Sequence, residues 1–244
     1  MRNIKLTIAY DGTNYKGWQL QKNGTTIQGK IEEAIEKTFK KKHRIYSAGR
    51  TDSGVHAQGQ IAHFKTSVPV PMNKIPSIIN TVLPPDIAIK NAKKVSTDFH
   101  AQFDAKQKHY RYYILNSLKR EAFKERYAWR VSYNLNVSLM REAAKALIGK
   151  HDFKSFQAVD KRERLSVRNI FSITVKKQKA FIVIDIKGDG FLYNMVRNIV
   201  GTLVEIGRGY FSPESMMEIL KSKNRKKAGP TAPAKGLFLM EVKY

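Results

Sequence analysis

The chain contains no cysteine. That excludes a disulfide framework and any thiolate metal site, and it fits a reducing compartment. Acid is scarce as well: 20 Asp and Glu stand against 45 Lys and Arg, a formal net charge of +25. A nuclease or phosphoryl-transfer enzyme working through metal-bound carboxylates needs clustered acids, and Asp52, the acid singled out below, has no acidic neighbour in its loop. The histidines show neither H-x-x-x-H nor H-E-x-x-H spacing, so no metal is expected. Long apolar runs are missing too, none approaching the roughly 18 residues that cross a bilayer. Met1 to Tyr10 alternates polar and apolar residues, unlike a signal peptide. The expectation is a soluble cytoplasmic protein that does not span a membrane.

What is present is base, aromatic rings and a normal apolar content. The cations run from Lys16 to Lys235 instead of gathering in a tail, which favours a broad basic surface on a folded body. Such an excess repels itself and is best compensated by a polyanion. Nucleic acid is the leading partner class and anionic membrane the second. Hydrophobic residues make up 42% of 244, with 11 Tyr and 12 Phe, enough for a packed interior.

Periodicity predicts the elements. Ile4, Leu6, Ile8 and Tyr10 alternate as a strand, and Ile27, Ile31, Ile35 and Phe39 recur at helical spacing behind Thr25 and Gln28, a capping-box spacing. Strands are expected over 60–64, 87–95, 110–114, 170–175, 181–186 and 237–242, with a hairpin about Lys179. Helices are expected over 72–80, over 139–148 with Ser138 as cap, over 191–206, and after Ser212-Pro213. The irregular mixture of strands and short links argues α+β with a largely antiparallel sheet. Two halves of similar content, residues 1–105 and 106–244, are expected to meet near 98–108. The most basic run, Lys221 to Lys227, reads as a solvated helix end.

Three segments carry candidate chemistry. In Ala48-Gly49-Arg50-Thr51-Asp52-Ser53-Gly54-Val55-His56-Ala57, two glycines bracket an acid and let a ligand approach the backbone; an Asx turn is the plainer reading. Around Phe191 to Val200 a broad apolar surface surrounds Arg197, a cation costly to bury unless a carboxylate meets it. Asp52 is a candidate partner, with Asp185, Asp189 and Glu205 as competitors. Lys108-His109-Tyr110-Arg111-Tyr112-Tyr113 alternates cations and rings, which suits either a half-buried strand or a stacking platform for an unstacked base. Gly24, Gly29 and Lys30 match part of a P-loop, but Ile31 replaces its hydroxyl residue, so the match is accidental.

Together these segments resemble the tRNA pseudouridine synthase A family. Gly49 to Ala57 is similar to its catalytic loop. Ala9-Tyr10-Asp11-Gly12, Gly17-Trp18-Gln19, Tyr110-Arg111-Tyr112, Met195-Val196-Arg197-Asn198 and Gly229-Pro230-Thr231-Ala232-Pro233 with Gly236-Leu237 follow in family order across nearly the whole chain. The resemblance implies two ferredoxin-like halves sharing a mainly antiparallel central sheet, with flanking helices and a basic cleft between the halves. It implies a homodimer that isomerises uridine to pseudouridine in the anticodon stem-loop of tRNA, at positions 38, 39 and 40, without metal or organic cofactor. By the same resemblance Asp52 is the nucleophile, Arg197 its paired arginine, Tyr110 the ring packed on the target uracil, and Arg50 the arginine that holds the flipped nucleotide. A paralogue acting on another RNA, or a catalytically silent RNA-binding module, is the alternative.

Overall fold

The computed structural model describes residues 1–159 and 165–244. Along the chain come β1 (Arg2–Tyr10), α1 (Ile27–Phe39), β2 (Tyr46–Ser47), β3 (His56–Thr66), α2 (Ile75–Asn80), β4 (Ile87–Val95), β5 (Gln107–Asn116), β6 (Trp129–Val131) and α3 (Val137–Lys145). There follow β7 (Gly149–Asp152), β8 (Val167–Gln178), β9 (Phe181–Gly188), α4 (Met195–Gly207), α5 (Ser215–Ser222) and β10 (Leu237–Lys243). They form two compact units, Met1–Lys106 with Phe238–Tyr244, and Gln107–Leu237. The last strand therefore belongs with the first unit, although its residues fall in the second half of the sequence. The fold is α+β, as expected, and most strand pairs are antiparallel.

In the first unit the strand order is β4-β1-β3-β10, with β2 beside β3. Ile4, Leu6, Ile8 and Tyr10 all bury their side chains, as the period-2 pattern requires. Ile4 lies opposite Phe64 and Leu6 opposite Ala62, and the register shifts between Ile8 and Tyr10, where β1 approaches the Asp52 loop. α1 covers this face with Ile27, Ile31, Ala34, Ile35 and Phe39, and Phe39 meets Phe64 edge-on at 5.9 Å. Its cap is Thr26 rather than Thr25: the Thr26 side chain accepts from the Gly29 nitrogen. Gln28 is buried and turned to Ile45 O and the Leu20 nitrogen, so it closes no capping box. β10 joins β3 in parallel, Phe238 opposite His56.

In the second unit β7, β8, β9 and β5 run antiparallel in that order, with β6 parallel to the end of β5. β8 and β9 form the expected hairpin, and Lys179 takes the left-handed conformation at its turn (φ 54). α3 is capped by Asn136, whose side chain accepts from the Ser138 and Leu139 nitrogens, two residues before the expected cap. α4 begins at Met195, four residues later than the apolar pattern suggested, because Asn194 is left-handed (φ 58) and breaks the helical path. Every residue of α4 except Arg197 is buried. A helix apolar all round belongs in a core, and α4 packs against α3 there.

Candidate active site

The Asp52 loop is built into the first unit by its backbone. Asp52-Ser53-Gly54-Val55 closes a turn through Val55 N–H to Asp52 O at 3.2 Å. Gly54 sits at φ +76, as the third position of a type II turn demands. Gly49 O accepts from Gln60 Nε2 at 2.9 Å and from the Ser47 hydroxyl at 3.1 Å. Thr51 O accepts from Trp18 N–H at 3.0 Å, Thr51 Oγ1 lies 2.8 Å from the Tyr10 hydroxyl, and the Ser53 hydroxyl donates to Tyr15 O at 3.0 Å. Burial pushes the Tyr10 phenol up to about 12, against the opposing pull of Thr51 and Gln60, so it stays neutral at working pH.

The segment 11–18 backs this loop. A Cβ on Gly17 would stand 2.6 Å from Thr51 O and 3.0 Å from Asp52 C, and one on Gly12 would overlap Val55 O. These two glycines exist because the loop lies directly on them. Asp11 Oδ1 is 3.0 Å from Nδ1 of His56, which is buried and stacked on Phe238 at 4.6 Å. The outcome is a rigid bend on which Asp52 is half-buried and Arg50 exposed.

Tyr110 and Arg197 belong to the second unit. Tyr110 is buried on β5, its ring edge-on to Phe191 at 5.2 Å and 88°. Phe191 was read as the start of a helix. It lies instead in the lead-in to α4, and the flanking Gly188 and Gly190 were the available signal of a sharp path there. On the other face of β5, Arg111 Nε and His109 Nε2 reach Asp185 Oδ1 at 2.8 and 2.6 Å. Burial alone would raise the Asp185 carboxyl, but hydrogen bonds from Arg111 and His109 outweigh it and hold it below the usual range. Those two side chains thus tie β5 to Asp185 on β9.

Arg197 is held by its own neighbours: Nε donates to Ala232 O at 2.7 Å and Nη1 to Asn194 Oδ1 at 3.0 Å. The three acids that compete for it in the sequence are engaged elsewhere. Asp185 meets Arg111, Glu205 meets Arg208 at 3.3 Å, and Asp189 accepts from the Asn169 nitrogen at 3.0 Å. Tyr112, on the same face of β5 as Tyr110, donates to Pro233 O at 2.7 Å, so strand and 229–236 segment are tied together. Ala232 did not stand out as a contact to Arg197 in the sequence, because a main-chain acceptor leaves no mark on composition; Asn194 is a side-chain acceptor three residues before it, a spacing the sequence reading passed over.

Lys108 shares that face of β5. Burial, then the nearby Arg168 guanidinium, lower it from 10.5 to about 8, with Asp189 opposing. The unfolded chain keeps this proton to 10.5 and the folded chain releases it near 8, so between those values the unfolded state binds more protons. Stability is therefore expected to rise with pH across that window, where this group is concerned. Lys108→Met should flatten the rise in urea titrations between pH 8 and 10.5; an unchanged slope in the variant would assign the effect to other groups.

Among the described residues no group of three or more His, Asp or Glu could hold a metal ion, and no helix is long and apolar enough to cross a membrane. A family model described as tRNA pseudouridine synthase matches residues 6–104 and 143–244. Among curated relatives, the tRNA pseudouridine synthase A of Thermoanaerobacter sp. is 46% identical over all 244 residues of both chains. That of Clostridium acetobutylicum is 44% identical, again over the whole of both. The tRNA pseudouridine synthase A 2 of Clostridium perfringens is 48% identical at the same full coverage.

Proposed function

This chain belongs to the tRNA pseudouridine synthase family, and on that premise we propose that it converts uridine to pseudouridine in the anticodon stem-loop of tRNA, at positions 38, 39 and 40, with Asp52 as the reacting carboxylate. What supports the reading is the loop itself: an acid on a bend backed by Gly12 and Gly17 and anchored through the Gly49 and Thr51 carbonyls and the Thr51 and Ser53 hydroxyls. The target base must first leave its stack, at a cost of roughly a few kcal/mol. Arg50, exposed beside Asp52, fills the vacated space and meets phosphate. Tyr110 packs on the uracil, a contact worth about 1–3 kcal/mol in comparable cases.

Arg197 keeps the carboxylate ionised and aimed, the state that a nucleophile needs. The N1–C1′ bond then breaks, the uracil turns, C5 bonds to C1′, and the C5 proton leaves. Three first steps suit a carboxylate: attack at C1′, addition to C6, or removal of the 2′ proton to give a glycal. The same reading has a homodimer acting in the cytoplasm, with the +25 charge drawing in the tRNA.

The test is a map of carbodiimide-labelled pseudouridine on a tRNA mixture incubated with the protein. New signal at positions 38–40 is expected. Signal at other uridines would point to a paralogue with another target, and tRNA binding without any new signal to a silent RNA-binding module.

A further inference from the structure

We propose that Arg225 is a positioning residue for Arg197, acting through the chain segment 228–232. The proposal rests on the reading above, in which Arg197 serves the reacting carboxylate. Arg225 lies in the basic run Lys221–Lys227, where Lys221, Lys223, Lys226 and Lys227 are exposed, as a solvated helix end should be. Arg225 departs from that pattern. It is half-buried and turned inward, and its guanidinium donates to four oxygens.

Nη1 reaches Ala228 O at 3.3 Å and Gly229 O at 2.9 Å. Nη2 reaches Asn198 Oδ1 at 3.0 Å and Thr231 Oγ1 at 3.1 Å. All four acceptors are neutral, so this is not an ion pair but a cation gathering a turn of main chain around itself. Burial lowers the guanidinium's pKa, which accords with a packed position.

The gathered groups lead directly to Arg197. Asn198 is its neighbour on α4, fully buried, and anchored by its own Nδ2 to Phe156 O at 2.8 Å. The Thr231 hydroxyl donates to the same Asn198 Oδ1 at 2.6 Å. One residue on, Ala232 N–H donates to Arg197 O at 3.2 Å, and Ala232 O accepts a hydrogen bond from Arg197 Nε at 2.7 Å. The Gly229 nitrogen donates to Thr202 Oγ1 at 2.9 Å, a turn further along α4. The segment is thus a rail pinned at Gly229, Thr231 and Ala232, and Arg225 holds its first half. A fork with donors on two edges is needed to reach four separated acceptors, and a lysine ammonium offers no such geometry.

The experiment is steady-state kinetics on tRNA at a temperature where circular dichroism shows each variant folded. The variants are Arg225→Gln, Arg225→Lys, Thr231→Val, Arg197→Lys, the Arg225→Gln/Arg197→Lys pair, and Lys226→Gln as a control that removes a neighbouring charge. Arg225→Gln is expected to lower kcat by about 10- to 100-fold through misplacement of Arg197, with KM for tRNA changed by less than about 3-fold. Arg225→Lys should not rescue it, Thr231→Val should lose kcat more mildly, and Lys226→Gln should match the parent. Because the effect passes through Arg197, the double variant should lose little beyond Arg197→Lys alone.

A parental kcat in Arg225→Gln, losses that multiply in full, or a KM rise shared with Lys226→Gln would overturn the proposal while Arg197→Lys still reports a working role for Arg197. If Arg197→Lys itself turns over like the parent, the reading of Arg197 fails and takes this proposal with it. Should Arg225→Gln not fold, Thr231→Val decides: an unchanged kcat there is against it.

Discussion

Asp52→Ala is expected to abolish tritium release from 5-tritiated uridine in tRNA, a loss of about 10⁴-fold or more by comparison with other removed nucleophiles, while leaving the fold and tRNA binding intact. The two halves of this expectation come from different atoms. The loss follows from the carboxylate, for which alanine offers no substitute in any of the three first steps. Survival of the fold follows from how the loop is held: Gly49 O, Thr51 O, Thr51 Oγ1, the Ser53 hydroxyl and the Val55 nitrogen are five anchoring groups that truncation at Asp52 leaves in place. None of them is the Asp52 side chain. Asp52 is half-buried, so its truncation leaves little cavity, and a stability change within about 1 kcal/mol is expected. Asp52→Asn should be as inactive, since shape is kept and charge is lost. Turnover retained in a folded Asp52→Ala protein would end the assignment of the nucleophile. Lost tRNA binding would instead mean that the loop collapses without its acid.

The second large effect concerns stability. Gly201 lies inside α4, where alanine is ordinarily favoured over glycine by about 1 kcal/mol. Here the sign is expected to reverse. A Cβ on Gly201 would stand 1.6 Å from Pro230 O and 2.8 Å from Pro230 C. Both are main-chain atoms on the rail that Arg225 gathers, so no side chain can swing aside. The segment would have to withdraw by more than an ångström, stretching the Ala232–Arg197 and Gly229–Thr202 contacts together. Gly201→Ala should therefore destabilise by about 3–5 kcal/mol, at the upper end for a single added methyl. Gly190→Ala is the control: its nearest neighbour would be Arg168 Nε at 3.6 Å, an ordinary contact. It should stay within about 0.5 kcal/mol of the parent. Urea midpoints for the two variants decide the matter, and a Gly201→Ala protein as stable as the parent would mean that α4 and the rail do not touch so closely.

The sequence was most legible where one side chain per period carries the signal. The alternation of Ile4, Leu6, Ile8 and Tyr10 and the helical spacing of Ile27 to Phe39 located β1 and α1 because burial sorts side chains by face. Ends were less legible. Thr25 and Thr26 are both competent caps, and only the side-chain contact to the Gly29 nitrogen separates them. The apolar run from Phe191 looked continuous with α4 because apolar content says nothing about a left-handed Asn194. At the site, Asp52, Arg50, Tyr110 and Arg197 were recognisable as residues, and two of the three acids set against Asp52 proved to be bound to other cations. What stayed hidden was the support: carbonyls at 232 and 233, and an Arg225 disguised among lysines. Main-chain acceptors are the same at every residue, so no pattern of residue types announces them.

The order of strands in the first unit has a consequence for biosynthesis. β10 lies beside β3, Lys106 N–H donates to Lys243 O, and the Tyr244 hydroxyl donates to Ala101 O. A ribosome delivers β1 to β4 first and must then make all of Gln107–Leu237 before the closing strand emerges. At about 5–20 residues per second that is a wait of roughly ten seconds with the His56–Ala57 end of the β3 edge lacking its β10 partner, while β2 covers His63 and Ala62. During that interval the nascent chain offers an open strand, and a chaperone or a brisk codon tempo over residues 107–237 would govern how much of it reaches the finished state.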